Sequence, residues 1–380
     1  MKESLIRRCS IVFIMMAAAF AMCAAMVTPA FAANTPVNGG TFNFNKYLVM
    51  DANANVPNAT FEFTITAGAA VDATDATPAI YAGNDVNRTS NFQQQTVQVQ
   101  FTPDDQKYDT VQSSDTVVLE SNENYAKKTG TVDLTSVEFK APGIYRYIIT
   151  ETSSSRNGIA NDTTATRTLD VHVSYAPDSN DQLVVSGYTL YPGTKTDAVK
   201  VSEENKDDGF TNTYTTYDLT LSKKVTGNQG DRDKEFMFTV NITNAVEGTK
   251  YTVLVPESAP DTLAADEYGN VSKEYSLKHD QSITIQGLTA GTNYTITENS
   301  YATDGYTTSY KIDNDSSVTA SSTNEQTMGD SDHTVAFTND KKGTVPTGIL
   351  LETAPYIGLG VAVIAGLALL FATRRRRAGE

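Results

Sequence analysis

The sequence predicts an all-β protein built from two tandem β-sandwich domains. Short segments in which apolar and polar side chains alternate recur along the chain, for example residues 97–101, 169–175 and 282–285, and no long helical periodicity is present. Asn, Asp and Gly separate these segments, as is typical of the turns in β-sandwiches. Three sequence landmarks also occur twice in the same order, which predicts two copies of one domain.

Residues 1–32 are typical of a secretory signal peptide. Three basic residues precede an apolar stretch, and Ala30-Phe31-Ala32 provides a small-residue cleavage site. Both cysteines of the chain, Cys9 and Cys23, lie in this segment. We therefore expect a secreted mature protein that has no disulfide and depends on its core, or on another kind of crosslink, for stability.

The repeated landmarks are three polar residues embedded in apolar strands. They are a lysine in the first strand (Lys46 and Lys223), a glutamate after a Tyr-x-Ile-Thr segment (Glu151 and Glu298), and an asparagine after Phe-Thr (Asn212 and Asn339). A Phe-x-Phe-Thr strand follows each lysine. The repeat predicts domains at 33–214 and 215–340 with almost no linker, and the polar segments 67–93 and 312–332 predict long loops.

Strand alternation predicts where these polar side chains point. Successive side chains of a strand face opposite sides of the sheet. Lys46 shares its parity with Phe44 and Leu48, and Lys223 shares its parity with apolar neighbours, whereas Lys224 has the opposite parity and should face solvent. The glutamates and asparagines also share their parity with aromatic or aliphatic residues. Each domain is therefore predicted to place a lysine, a glutamate and an asparagine in its core.

Two interpretations of such a buried cluster are possible. Burying polar groups without partners is costly, so the three side chains could form a lysine–glutamate ion pair with asparagine as a hydrogen-bond partner. Alternatively, desolvation lowers the pKa of the lysine and raises that of the glutamate, which favours a neutral amine beside a neutral acid. The amine could then attack the amide carbon of asparagine while the acid hydrogen-bonds the amide oxygen and passes a proton to departing ammonia. The product would be an intramolecular Lys–Asn isopeptide bond.

The end of the chain predicts a membrane anchor. Residues 341–348 contain Val-Pro-Thr-Gly, residues 349–373 are predominantly apolar, and residues 374–380 begin with four arginines. An apolar stretch of about 20 residues is long enough to span a bilayer as a helix, and the arginines would stay on the cytoplasmic side. The alternative, a buried core helix, does not explain the block of arginines.

A Pro-Thr-Gly motif followed by an apolar span and a basic tail resembles the cell-wall sorting signal of Gram-positive bacteria. The resemblance implies that a sortase cleaves between Thr347 and Gly348. In the common form of the signal proline stands two residues before threonine, whereas here Pro346 directly precedes Thr347. With this variant and the repeated lysine, glutamate and asparagine, the chain resembles the Fct-type major pilins, which implies Ig-like domains of the Cna B type.

The resemblance assigns a role to each repeated residue. It implies one isopeptide bond per domain, with a glutamate as proton shuttle: Lys46–Asn212 with Glu151, and Lys223–Asn339 with Glu298. The motif Lys-Lys-Val-Thr-Gly-Asn at 223–228 is characteristic of the family, whereas the lysine strand of the first domain is less typical.

The resemblance implies the structural backbone subunit of a covalent cell-surface pilus. Its partners would be a pilus-specific sortase, identical subunits joined head to tail, peptidoglycan and, in addition, minor pilins or a host ligand. Polymerisation needs an acceptor lysine, for which the position before Asn212 favours Lys206, with Lys200 and Lys195 as alternatives. A second interpretation is a wall-anchored adhesin or minor pilin that presents a ligand-binding surface.

Charge and composition exclude several classes of function. The predicted signal peptide and the residues from Gly348 onward carry 7 basic and 3 acidic residues, which leaves 22 basic and 42 acidic residues and a net charge of −20. Such acidity argues against nucleic acid as a partner. No Ser/His/Asp arrangement, cysteine cluster, EF-hand loop or phosphate-binding loop stands out. We therefore expect no cofactor, no metal and no enzymatic activity beyond formation of the protein's own crosslinks.

Overall fold

The structure, a computed structural model, describes residues 34–198 and 206–343. In this part of the chain almost all regular structure is β, and helix is limited to the 3₁₀ turn Ala302–Asp304. The all-β prediction is confirmed. The predicted signal peptide, residues 344–348 of the sorting segment, the predicted membrane helix (349–373) and the basic tail (374–380) lie outside the described residues. Within the two described ranges, no helix has the length and apolar character needed to cross a bilayer.

The first half of the chain forms a group of strands that we call the first sandwich. Its strands are β1 (Val37–Asn38), β2 (Thr41–Asp51), β3 (Ala59–Ala67), β4 (Ile80–Ala82), β5 (Thr89–Ser90), β6 (Gln95–Phe101), β7 (Lys107–Tyr108), β8 (Glu123–Asp133), β9 (Glu138–Phe139), β10 (Gly143–Glu151), β11 (Ile159–Ala160), β12 (Thr166–Tyr175), β13 (Leu183–Pro192) and β14 (Gly209–Tyr214). A sheet in the order β13-β12-β10-β3-β6, with β4 beside β10, faces a sheet in the order β11-β14-β2-β8-β7. A small sheet, β1-β9-β5, completes this half.

The second half forms the second sandwich. Its strands are β15 (Tyr217–Thr226), β16 (Phe236–Thr243), β17 (Lys250–Leu254), β18 (Asp261–Ala264), β19 (Val271–Leu277), β20 (Ser282–Leu288), β21 (Asn293–Glu298), β22 (Thr307–Ile312), β23 (Gln326–Thr327) and β24 (His333–Asp340). One sheet has the order β18-β17-β20-β15-β24-β22 and the other the order β19-β16-β21-β23.

In each sandwich the first long strand pairs with the last strand. β2 pairs with β14, and β15 pairs with β24, and both pairs are parallel. Most other neighbours in these sheets are antiparallel, as hairpin connections require. The two strands that are farthest apart in sequence therefore lie side by side at the centre of their sheet, which positions the candidate site.

Alternation of side chains builds the two cores as the sequence predicts. In β16, Phe236, Phe238, Val240 and Ile242 are buried and the residues between them are partly exposed. The apolar residues form one cluster per sandwich. β2 departs from simple alternation, because Tyr47 on its outer face packs in a further small cluster with Val117 and Tyr125.

The predicted loops contain some short strands. β4 and β5 lie within residues 67–93, and β23 lies within residues 312–332. Their periodicity is too short to detect in the sequence, since each has only two or three residues. The rest of both segments is irregular.

Two residues separate the sandwiches, and polar contacts brace the junction. The carboxylate of Asp51, at the end of β2, accepts hydrogen bonds from the backbone N–H of Thr216 at 3.0 Å and from its hydroxyl at 3.2 Å. Asn53 donates to the carboxylate of Asp218, and Asn55 donates to the carbonyl of Lys250 at 3.0 Å. The loop after β2 thus bonds to both the connection and the second sandwich.

Candidate functional site

The parallel strand pairs bring lysine and asparagine to the same face. Lys46 lies opposite Phe210 in the register of β2 and β14, and Asn212 lies opposite Leu48. Lysine and asparagine are therefore diagonal neighbours, two residues apart in register, whose side chains leave the sheet in the same direction. Lys223 and Asn339 have the same relation in β15 and β24.

The opposite sheet supplies the glutamate of the first triad, which we define as Lys46, Glu151 and Asn212. Glu151 ends β10, and its Oε1 lies 2.8 Å from Lys46 Nζ and accepts a hydrogen bond of 2.9 Å from Asn212 Nδ2. The ammonium–carboxylate contact is close, but its orientation makes no hydrogen bond to Lys46 Nζ. All three residues are at most 4% exposed.

The second triad, Lys223, Glu298 and Asn339, repeats this arrangement. Glu298 ends β21, and its Oε1 accepts hydrogen bonds from Lys223 Nζ at 2.5 Å and from Asn339 Nδ2 at 3.0 Å. These residues are also almost completely buried, whereas the adjacent Lys224 is exposed. The structure thus brings together, in two separate places, the three side chains that the sequence predicts to face each core.

Aromatic rings surround both lysine amines, a contact that the sequence analysis did not assign. Lys46 Nζ lies 4.5 Å from the ring centroid of Phe61 and 6.0 Å from that of Phe63. Lys223 Nζ lies 4.0 Å and 5.5 Å from the rings of Phe236 and Phe238. The repeated Phe-x-Phe motif was the available signal, because it places two rings on the core face of the strand that follows each lysine strand.

Burial shifts the protonation equilibria of both lysine–glutamate pairs. Desolvation lowers the pKa of Lys46 and that of Lys223 to about 8 from the ordinary value of 10.5, against the opposing attraction of the neighbouring glutamate. Burial likewise raises the pKa of Glu151 and that of Glu298. Oε2 of each glutamate is buried and accepts no hydrogen bond from the described residues. An ionised carboxylate is poorly stabilised in such a site, which favours transfer of the proton from amine to acid.

The contact between glutamate and amide differs from the expected one. The reaction scheme predicted a protonated acid bonded to the amide oxygen, but in both triads Oε1 faces the amide nitrogen. The scheme describes the state after proton transfer. Before that transfer the carboxylate carries no proton and can only accept hydrogen bonds, so it faces the donor end of the amide. The glutamate is thereby already adjacent to the nitrogen that would leave as ammonia.

The candidate acceptor lysines lie in the connection between β13 and β14. Lys206 is exposed and Lys195 is half-buried, whereas Lys200 lies outside the described residues. The buried Arg146 holds the start of this connection, since its guanidinium donates to the backbone carbonyls of Lys195 at 3.0 Å and Asp197 at 2.9 Å.

Further contacts fix both sides of this connection. The guanidinium of Arg146 binds both carboxylate oxygens of Asp170 at 2.8 Å. After Lys206, the carboxylate of Asp208 accepts hydrogen bonds from the Tyr47 hydroxyl at 2.5 Å and from Asn45 at 3.2 Å. Gly209 follows because β14 approaches β2 closely, and a Cβ there would lie 1.9 Å from the Asn45 carbonyl oxygen.

The chain leaves the second sandwich through a clasp formed by the Val-Thr-Gly-Asn turn. Asn228 donates to the carbonyl of Gly343 at 3.0 Å and accepts from its N–H at 2.9 Å. Gly227 has a φ of 87°, and a Cβ there would meet the carbonyl oxygen of Lys341. The motif therefore holds the segment that leads toward Thr347 and Gly348, which lie outside the described residues.

Two family models match most of the described chain. The model for the Spy0128-like isopeptide containing domain matches residues 42–215, and the model for a domain of unknown function, DUF7601, matches residues 217–341. These matches cover the first and second sandwiches respectively.

Relatives and solved structures that are similar to this chain include streptococcal pilus proteins. A pilin of Streptococcus pyogenes serotype M1 is 30% identical over 257 residues, which are 65% of this chain and 72% of that protein. The pilus tip adhesin Cpa of Streptococcus pyogenes is 28% identical over 178 residues, which are 47% of this chain and 24% of that protein. The crystal structure of the major pilin from Streptococcus pyogenes has a TM-score of 0.54 and 26% identity, covering 81% of this chain and all of that chain.

The repeated buried triads, the two tandem sandwiches and these similarities lead to one assignment. The chain belongs to the family of pilins that contain the Spy0128-like isopeptide domain, and it is a structural subunit of a pilus.

Proposed function

We propose that this protein is the backbone subunit of a covalently polymerised cell-surface pilus, in which each sandwich is closed by an internal isopeptide bond. One observation carries the proposal: the same lysine, glutamate and asparagine meet in both cores, between the first and last strands, with the same register. A costly buried arrangement that recurs in both copies of the domain is better explained by a reaction that removes its charges than by a structural role alone.

The geometry supports a balanced reaction within each triad. Transfer of the ammonium proton to the glutamate leaves a neutral amine at Nζ, which attacks Cγ of the asparagine. Attack forms the new C–N bond and a tetrahedral intermediate, and the C–Nδ2 bond then breaks as the glutamate, already beside Nδ2, delivers its proton to the leaving nitrogen. The second proton of the attacking amine returns to the glutamate, and the products are a neutral isopeptide and ammonia.

A permanent ion pair is the alternative role for these residues. Buried ion pairs are weak contributors to stability, because desolvation of the two charges offsets their attraction. Here the penalty is aggravated by a buried glutamate oxygen that accepts no hydrogen bond from the described residues, and the aromatic rings over each ammonium offset only part of it. Reaction removes both charges from the core, so it eliminates the penalty altogether.

The crosslinks would stabilise each sandwich by constraining the unfolded chain. Joining Lys46 to Asn212 and Lys223 to Asn339 closes loops of 166 and 116 residues. In the chain-entropy model developed for disulfides, loops of this length each contribute about 5 kcal/mol to the free energy of unfolding. This contribution is comparable with the whole stability of many domains, and the protein has no disulfide in its mature part.

The positions of donor and acceptor define the path of a pulling force. If neighbouring subunits are joined through Lys206, the acceptor, and Thr347, the acyl donor, a pulling force acts on the chain at these two residues. The force then enters just before β14, passes into β15 and leaves after β24. The second crosslink lies on this path, so a covalent bond carries the load that strand hydrogen bonds would otherwise bear. The first crosslink lies beside the path, where it keeps the first sandwich attached and folded.

Anchoring and assembly follow from the same proposal. A pilus-specific sortase would cleave between Thr347 and Gly348 and transfer the threonyl carbonyl to an acceptor lysine of an identical subunit or to peptidoglycan. The precursor would be held in the membrane by residues 349–373 until this step. The mature subunit would lie outside the cell, attached to the wall, in contact with minor pilins.

The second candidate function is a wall-anchored adhesin or minor pilin. The similarity to a pilus tip adhesin over 47% of this chain favours it. An adhesin would use the same domains and the same anchor, but it would not need an acceptor lysine. Polymerisation therefore separates the two functions.

Removing one partner of the second crosslink should destabilise the second sandwich. In Lys223→Ala or Asn339→Ala the loss of about 5 kcal/mol from the crosslink is joined by a cost of about 1–3 kcal/mol for a buried group without its mate. We expect a lower melting temperature by calorimetry and faster cleavage by trypsin, with the β-sheet spectrum retained. Lys224→Ala, an exposed neighbour, is the matched control. Equal melting temperatures for all three variants and the unsubstituted protein would contradict the proposal.

The rate of crosslinking should be constant over a range of pH and should fall at both lower and higher pH. A neutral amine with a neutral acid carries the same number of protons as the ion pair, so the reactive population is constant between the two pKa values. Above a pH of about 8 the pair loses its remaining proton, and below the raised pKa of the glutamate both groups are protonated.

This profile can be measured by refolding unreacted, denatured chain at a series of pH values and following the loss of ammonia by mass spectrometry. We expect the rate to fall about tenfold per pH unit well above the alkaline limb. A rate that keeps rising up to pH 10 would show that a free lysine amine reacts without help from the glutamate.

Replacing the acceptor lysine should abolish polymerisation and leave anchoring intact. Cells that produce the unsubstituted protein should yield a ladder of detergent-resistant multimers in cell-wall extracts. We expect Lys206→Ala, or Lys200→Ala if the neighbouring lysine is used, to give wall-anchored monomer only. Lys311→Ala, an exposed lysine of the second sandwich, is the control.

Two results would contradict this assignment. A ladder that survives simultaneous replacement of Lys195, Lys200 and Lys206 would place the acceptor elsewhere. Absence of a ladder from unsubstituted cells would favour the adhesin.

A further inference from the structure

The two triads differ at the amide oxygen of the asparagine. Asn212 Oδ1 accepts a hydrogen bond of 2.9 Å from the backbone N–H of Asp162. Asn339 Oδ1 is equally buried, yet no group in the described ranges donates to it. The nitrogen ends of both amides face their glutamates in the same way, so within the two amide groups the difference is confined to the oxygen.

The side chain of Asp162 holds its N–H in this position. Asp162 Oδ2 accepts hydrogen bonds from the Arg167 guanidinium at 2.8 Å and from the backbone N–H of Thr211 at 2.9 Å, and Oδ1 accepts from the N–H of Thr164 at 2.8 Å. Because Thr211 directly precedes Asn212 in β14, the carboxylate fixes the loop to the strand that carries the reacting amide.

A buried arginine completes the network. Arg167, in β12, is 6% exposed, and its Nε lies 2.5 Å from Asp207 Oδ2. Its guanidinium lies 4.4 Å from the ring centroid of Phe210. The guanidinium also lies against the carboxylate of Asp162, so it reduces the repulsion between that carboxylate and the negative charge that develops on the amide oxygen.

This arrangement has the properties of an oxyanion site. Attack of the lysine amine on Cγ converts the amide C=O into a tetrahedral centre whose oxygen carries negative charge, and that charge returns to the carbonyl when ammonia leaves. A backbone N–H that is already 2.9 Å from this oxygen stabilises the intermediate without reorganisation and without giving up a proton.

We propose that the Asp162 backbone N–H is the oxyanion donor for the Lys46–Asn212 crosslink, with the Asp162 carboxylate and Arg167 as the groups that position it. The inference rests on the proposed function, since it concerns the same reaction. It implies that the two crosslinks form with different support. The first depends on the Asp162 network, whereas the second proceeds without an equivalent donor among the described residues.

The decisive test removes the backbone N–H of residue 162. An amide-to-ester replacement at residue 162 of the ectodomain, made by incorporating the α-hydroxy analogue of aspartate, eliminates the N–H and keeps the carboxylate. The unreacted chain is refolded, and proteolysis followed by mass spectrometry reports the two crosslinks separately. We expect the Lys46–Asn212 crosslink to form about a hundredfold more slowly, because one oxyanion donor contributes about that factor. The Lys223–Asn339 crosslink in the same molecule should keep its rate.

Substitutions test the positioning role. Asp162→Ala keeps the N–H but loses its anchors and should slow the first crosslink, whereas Asp162→Asn, which still accepts hydrogen bonds, should recover most of the rate. An ester at Thr163, one residue further along, is the matched control for the chemical replacement. The circular dichroism spectrum of each variant is compared with that of Glu151→Ala, which in this scheme folds without the first crosslink. A variant that reacts slowly but folds should give the same spectrum as Glu151→Ala, whereas an unfolded variant should not.

Two results would overturn the inference. One is formation of the first crosslink at the unsubstituted rate in the residue 162 ester, and the other is an equal slowing of both crosslinks. Failure of the proposed function would appear differently, since the unsubstituted chain itself would then keep its full sequence mass.

Discussion

Parallel pairing of the first and last strands is the constraint on which both sandwiches depend. It places Lys46 beside Asn212 and Lys223 beside Asn339, although the two residues of each pair lie near opposite ends of their domain in the sequence. Antiparallel neighbours cover the rest of each sheet, and the facing sheet brings a glutamate to the same point. Under the proposed function, a covalent bond formed there would close nearly the whole domain, and in the second sandwich it would also lie directly between the entry and the exit of a pulling force.

The chemistry follows from excluding water around this point. Aromatic rings and the opposite sheet desolvate the amine and the acid, which shifts their pKa values toward each other. The same low polarity makes a permanent ion pair costly, so the arrangement favours conversion to a neutral product. The residues around the two triads differ. The first triad contacts the network of Asp162 and Arg167, whereas in the second sandwich Asn228 binds the chain segment that leaves the domain.

Strand alternation was sufficient to predict the fold class and the inward direction of both lysines, because periodicity and parity are local properties of the sequence. It was not sufficient for Asp162, whose role depends on the path of a loop without periodicity, or for Arg146, whose burial depends on a connection that covers the outer face of its sheet. Phe61 and Phe236 were visible as a repeat, but their contact with the amines required the packing of the two sheets. The contact between each asparagine amide and its glutamate could not be predicted from the sequence, because it depends on the charge state of the glutamate.

The intact mass of the folded ectodomain tests most directly whether the buried triads react. Each isopeptide bond releases one ammonia, so two bonds lower the mass by about 34 Da relative to the sequence. The account predicts this deficit and two branched peptides after proteolysis, one joining Lys46 to Asn212 and one joining Lys223 to Asn339. A mass equal to that of the sequence would contradict it and would leave both clusters as buried ion pairs.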